Sequence, residues 1–471
     1  MLKIIDFEKL PVVEAVNDML VDAAKRGASD IHFDPQEDKM KVRIRVDGDL
    51  MDYVEIPNDI KKNLVTRIKI ISGMNITESR LPQDGAIKAT LGGIDLDLRV
   101  SALPTNLGEK IVVRILDYSM SQAGLEALGF SKSNYEKVLK MISVPNGIIL
   151  VTGATGSGKS TTVYSILQRL NREETNIITV EDPIEMNIEG INQVQTNSEI
   201  GLTFASVLRS ILRQDPNVIM IGEIRDSETA KIAVRASITG HIVLSTVHTN
   251  SSLNTIERLL DMDVERYLLS SALTGVISQK LARRLCKKCR KLRPTNDYEK
   301  KLLYEITHKQ INEIYTNVGC PECSNGYRGR IAIHEVLLVN QEVKDAISNN
   351  VRKDELRKLV YTSDVTTLLQ DGINKVLAGE TTIEEVLKLI ELESDETSKE
   401  ENFTLGDVKP SATPTMASRE RKNQDLFQAM SQPQTTPSST FTAKPPLRIE
   451  NDVVRDVSST EFNDFDINLD I

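Results

Sequence analysis

The stretch VTGATGSGKSTT, residues 151–162, sets Gly153, Gly156, Gly158, Lys159 and Ser160 in the spacing G-x-x-x-x-G-K-S. These residue types at this spacing do one kind of chemistry. Glycines let backbone N–H groups close around phosphate oxygens. The lysine reaches the β and γ phosphates, and the serine hydroxyl ligates Mg²⁺. Thr155, Ser157 and Thr161 complete the set of candidate ligands. ATP and Mg²⁺ are therefore the expected ligands. An apolar run, GIILVTG, precedes the loop, and Val163, Ile166, Leu167 and Leu170 follow it at one-face helical spacing. Strand before and helix after is the context the motif requires. The competing reading, a chance glycine-rich turn, does not account for those flanks.

Hydrolysis also needs a carboxylate at the end of a neighbouring strand. NVIMIGEIRD supplies Glu223 after an apolar run, with Gly222 where the usual pattern has Asp. Glu223 is the candidate to polarise water or hold metal-bound water. TVEDPIE supplies Glu181, Asp182 and Glu185 after another apolar run. Such acids often sit in solvated loops, but two acidic strand ends beside a phosphate loop favour a site.

The four cysteines fall as Cys286-Lys-Lys-Cys289 and Cys320-Pro-Glu-Cys323. Two C-x-x-C pairs suit tetrahedral structural Zn²⁺ with no open position. The competing reading is four unrelated thiols. The 30 residues between the pairs predict a loop stapled by the metal. The first pair lies in RRLCKKCRKLR. Such a basic stretch suits nucleic acid, a solvated face or an acidic partner. The net charge of −10 weighs against the first, so no stable nucleic-acid partner is expected.

These residues need elements to hold them. GIILVTG, NIITVEDP, NVIMIGEIRD and HIVLSTVHT read as strands apolar on both faces. Such runs suit the centre of a parallel sheet, with ligands beyond the carboxyl ends. The fold class expected for residues 131–394 is therefore α/β, with the cysteine segment 286–323 inserted in it. In residues 1–118, KVRIRVDGDL and GGIDLDLRV alternate apolar and charged residues, predicting a smaller α+β domain. Residues 119–130 read as a linker. Residues 395–471 are rich in Ser, Thr, Pro and charge and read as a disordered tail. No run approaches the length of a membrane span and no signal peptide is read. Few cysteines suit a reducing cytoplasm.

TVEDPIE, LRQDPNVIMIGEIRDSETA and TGHIVLSTVHTN, in that order after the loop, resemble the secretion ATPases of type II secretion and type IV pilus assembly. These are RecA-like hexameric motors. Upstream, GASDIHFDP, RIRVDG, RLPQDG and LRVSALPTNLGEKIVVRIL are similar to that family's second N-terminal domain. The resemblance covers about residues 10–390 and implies roles. Glu223 takes the acidic position of the Walker B stretch. His241 and His248 take the two box histidines, expected to sense nucleotide state; a strand-end histidine with a structural role is the plainer reading. Arg80, Arg99 and Arg114 take positions where the N-terminal domain closes over nucleotide. Arg209 and Arg213 lie just before Walker B. For any single arginine, a surface ion pair is the competing role.

The implied function is a cytoplasmic homohexameric ATPase, peripheral at the inner face of the cytoplasmic membrane. Through an inner-membrane platform protein it would build a pilus or pseudopilus. The tetracysteine motif favours assembly over retraction, since retraction members generally lack it. Nucleic-acid translocation and an ATP-binding scaffold without turnover compete with this reading. The resemblance starts at the family's second N-terminal domain, so no counterpart of the first is expected. The acidic, apolar end DVSSTEFNDFDINLDI, with Phe462, Phe465, Ile467, Leu469 and Ile471, is expected to recruit the motor in its place, or to be passive.

Overall fold

The computed structural model describes residues 10–116, 124–362 and 364–397. The expected tail and its docking end lie outside the described residues, apart from the backbone of 395–397. All described residues fall in one compact unit.

Residues 28–116 form a six-stranded antiparallel sheet in the order β3-β2-β1-β6-β5-β4. Its strands are β1 (Ala28–Pro35), β2 (Lys39–Val46), β3 (Asp49–Pro57), β4 (Gln83–Leu91), β5 (Ile94–Thr105) and β6 (Gly108–Leu116). Alternation in the sequence becomes two faces. Val42, Ile44, Leu96, Leu98 and Val100 are buried against the helices Val12–Lys25 and Asn58–Ile71, while the charged alternates face outward. Asp47-Gly48 makes the tight β2–β3 turn, both residues at positive φ.

The second sheet has seven strands in the order β15-β12-β7-β11-β10-β8-β9. These are β7 (Gly147–Thr152), β8 (Ile177–Glu181), β9 (Asn192–Gln195), β10 (Val218–Ile221), β11 (Ile242–Val247), β12 (Leu273–Leu285) and β15 (Tyr327–Leu338). The four apolar runs are β7, β8, β10 and β11. Every residue in them is buried, and they pair in parallel. Helices cover both faces, forming one apolar cluster around Ile219, Val243 and Val276 and another around Ile149, Met220 and Leu244. The sequence reading did not pick out β12, which pairs in parallel with β7 and antiparallel with β15. Its carboxyl half mixes Ser278, Gln279, Lys280 and Arg283 with apolar residues, and tertiary partners satisfy those polar groups.

The two sheets touch through side chains. Arg283 at the end of β12 donates to Asp49 Oδ2 at 2.6 Å and Glu385 Oε1 at 2.6 Å, stacked over Tyr327. Gly329 N–H donates to Asp47 Oδ2 at 2.9 Å. The β2–β3 turn thus sits against β12 and β15.

Candidate functional site

Because β7, β8, β10 and β11 are parallel, their carboxyl ends lie on one side, and the polar residue clusters gather there. β7 runs directly into the glycine loop. Gly153 has φ +146°, and a Cβ there would lie 2.4 Å from Gln279 O and 2.6 Å from Ser157 Oγ. Gly158 caps the helix Lys159–Leu170 at φ +89°. A side chain at either position would spoil the loop. Ser157 Oγ is buried without a partner. The first N–H groups of a helix also lack internal partners. Donors gathered in this way are what a phosphate takes up.

Lys159 is 9% exposed, and its ammonium donates to Gly153 O at 2.8 Å and Ala154 O at 3.2 Å. Burial pushes its pKa down, while the Glu223 carboxylate holds it up. Ser160 and Thr155 are exposed and Thr161 is half-buried, so all three are open to ligand. Glu223 follows β10, accepts a hydrogen bond from Arg225, and lies 3.4 Å from His248 Nε2. Burial and then the Lys159 ammonium push His248 below its ordinary range, against the pull of Glu223. A neutral ring can donate Nε2–H to Glu223. Lys159, Glu223 and His248 thus come together from the ends of three strands.

The loop after β8 is pinned on two sides. Glu181 is buried and accepts hydrogen bonds from the Tyr164 hydroxyl, Thr179 Oγ1 at 2.5 Å and Gln193 Nε2 at 3.0 Å. The Tyr164 oxygen also accepts the Glu185 N–H at 3.1 Å. On the other side, Arg99 of β5 donates to Ile184 O at 2.7 Å and pairs with Glu185 Oε2 at 3.0 Å. Asp182 is exposed, and its charge acts on Arg225.

The other arginines have partners elsewhere within the chain. Arg80 is 86% exposed and pairs with Glu78 at 2.7 Å. Arg114 pairs with Asp30 at 3.0 Å. Arg213 donates to Arg209 O at 2.8 Å and Ser210 Oγ at 3.3 Å. Within this chain the two histidines part company. β11 runs between them, so His248 is at its carboxyl end and His241 at its amino end. Six residues of strand put them about 20 Å apart. His241 Nδ1 lies 2.8 Å from Ala236 O.

The cysteines form a second centre. Their sulfurs all lie within 4.8 Å of one another, with Cys286–Cys320 at 3.9 Å, Cys289–Cys323 at 3.7 Å and Cys320–Cys323 at 3.5 Å. Four sulfurs held at about 2.3 Å from a tetrahedral Zn²⁺ lie about 3.8 Å apart, so the donor set fits. The intervening segment is more than the expected loop. It carries β13 (Lys291–Pro294), the helix Asp297–Thr307 and β14 (Glu313–Thr316), which pairs with β13. A capping box of Asn296 and Glu299 starts the helix, and buried Leu303 and Ile314 join a cluster with Ile331 and Ile333. The basic run is largely spent inside the chain. Lys288 pairs with Glu322, Arg293 with Glu299 and Glu384, and Arg290 stacks on Tyr315.

Sequence reading missed Gln279 and Tyr164. Each acts on residues well removed along the chain, and no motif spacing marks either.

The comparisons agree with this geometry. The family model described as "Type II/IV secretion system protein" matches residues 6–388. The type II secretion system protein E of Pectobacterium carotovorum subsp. carotovorum is 48% identical over 380 residues, covering 80% of this chain and 76% of that protein. The type IV pilus assembly ATPase PilB of Myxococcus xanthus is 45% identical over 383 residues, covering 80% of this chain and 67% of that protein. The pilus retraction motor PilT, solved with bound ADP, aligns with a TM-score of 0.55 at 26% identity, covering 79% of this chain and 96% of PilT. With the phosphate loop, the acidic strand ends and the match over most of the described residues in agreement, the chain belongs to the Type II/IV secretion system protein family.

Proposed function

We propose that the chain is an ATP-hydrolysing motor that powers assembly of a type IV pilus or a type II secretion pseudopilus. The observation that carries this is the convergence of Lys159, Glu223 and His248 on one phosphate loop, next to an acidic loop gripped by Arg99. In this reading Lys159 and the loop N–H groups hold the phosphates, Ser160 and Glu223 serve Mg²⁺ and the attacking water, and His248 reads the state of Glu223. Glu185 and Asp182 border the site. Arg99 carries movement of the acidic loop into the first sheet. Arg80, Arg114, Arg213 and His241 act in a neighbouring subunit's site. Such motion requires residues 1–118 and 131–394 to move as two domains.

The names of the relatives support assembly, and the cysteine centre supports it over retraction. Likeness to PilT favours retraction as the second reading. The partners proposed are a homohexamer and a membrane platform protein, with Zn²⁺ bound at the cysteines. No helix among the described residues is long and apolar enough to cross a membrane, so membrane association would run through partners.

The test in cells is a Lys159→Ala allele. Loss of surface filaments or of exported proteins is expected. Filaments that form but no longer retract would favour the second reading. In vitro, Arg99→Ala should leave nucleotide binding intact and slow turnover on the order of 10–100-fold, the scale for a misplaced catalytic group. Full turnover by Arg99→Ala would contradict the domain coupling, and full turnover by a verified monomer would contradict the need for a hexamer.

A further inference from the structure

Gln279 is 1% exposed and lies on β12 one residue beyond Ser278, the partner of Thr152 at the end of β7. Its Nε2 donates to Ser157 O at 2.7 Å, and its Oε1 accepts from Thr162 Oγ1 at 2.7 Å. The amide orientation follows from chemistry. A carbonyl only accepts, so the NH₂ end must face Ser157, leaving the oxygen for the Thr162 hydroxyl. One buried side chain thus grips both the phosphate loop and the first turn of the helix after it.

This grip governs the loop's donors. In a trans peptide the C=O and the following N–H point opposite ways. Tying Ser157 C=O to β12 therefore turns the Gly158 N–H away from β12. The loop is pressed onto the same residue at two more points. A Cβ on Gly153 would meet Gln279 O, and one on Gly158 would come 3.0 Å from Gln279 Nε2. Gly153 and Gly158 are therefore required partly because Gln279 is behind them.

We propose that Gln279 is the positioning residue of the phosphate loop, a clamp that holds the loop in its nucleotide-binding shape from an adjacent strand. The clamp does not touch the reacting atoms. It acts through Ser157 and Thr162 on the geometry of the backbone donors. The proposal rests on reading the loop as an ATP site. It also places the clamp four residues from Arg283, which contacts Asp49 of the first sheet, on one continuous strand.

The experiment compares Gln279→Met, Gln279→Glu and Thr162→Val in the full chain. ATP and ADP dissociation constants are measured beside kcat and KM. Met keeps the volume and removes both hydrogen bonds. Glu keeps the shape but sets a carboxylate against the Ser157 carbonyl. Both should weaken nucleotide binding at least about tenfold, as losing a buried hydrogen bond and stranding its acceptor does. kcat at saturating ATP should change much less. Thr162→Val should shift binding in the same direction by a smaller factor. A merely structural role would lower the folded fraction and leave the dissociation constant of the folded protein unchanged. Wild-type affinity in folded Gln279→Met and Gln279→Glu would overturn the clamp alone. A wild-type chain that binds neither nucleotide would overturn the ATP reading and the clamp with it.

Discussion

Glu223→Gln in the full chain should bind ATP as tightly as the wild type and turn it over on the order of 10²–10⁴-fold more slowly, the range for a positioned acid–base group. The substitution keeps the size of the side chain and its ability to accept from Arg225. It removes the negative charge that faces Lys159 and the proton acceptor that faces His248. Lys159 is anchored by Gly153 and Ala154 carbonyls as well, so the phosphate cradle should survive. Pre-steady-state nucleotide binding and steady-state phosphate release separate the two effects. Near-normal turnover would remove Glu223 from the chemistry.

Loss of the proposed zinc should have the second large effect, confined to one region. Structural zinc contributes an apparent binding energy of roughly 10–16 kcal/mol in small peptides. Here the segment between the cysteine pairs has its own buried residues, Leu303 and Ile314, packed against Ile331 and Ile333. Chelation, or Cys320→Ser, should therefore open residues 286–323 while ATP binding at the phosphate loop persists. Elemental analysis should give about one zinc per chain, the tetrahedral four-thiolate count. Hydrogen exchange should show lost protection between the cysteine pairs. A metal-free chain with full protection there would contradict the centre.

The central strands were legible because burial on both faces leaves a continuous apolar run, as in Ile148 to Val151 and Ile242 to Leu244. The phosphate loop was legible because its chemistry is local. What escaped depends on tertiary proximity. Gln279 grips Ser157 across 122 residues, and Arg99 reaches Ile184 across 85. Alternation in β5 put Arg99 on the polar face, but nothing local names its partner. β12 was obscured because its polar residues are satisfied by other elements. The two histidines show the converse. Closeness along the chain, seven residues from His241 to His248, became distance in space because a strand lies between them. Between the cysteines, the spacing marks only an insertion; its helix is signalled locally by the capping box of Asn296 and Glu299.

The most direct test of ATP hydrolysis at this site is phosphate release by the purified full chain, measured beside Lys159→Ala with and without Mg²⁺. The expected result is Mg²⁺-dependent release by the wild type that disappears in Lys159→Ala. Equal release by both chains, or a wild type that binds ATP and releases no phosphate as an oligomer, would contradict it.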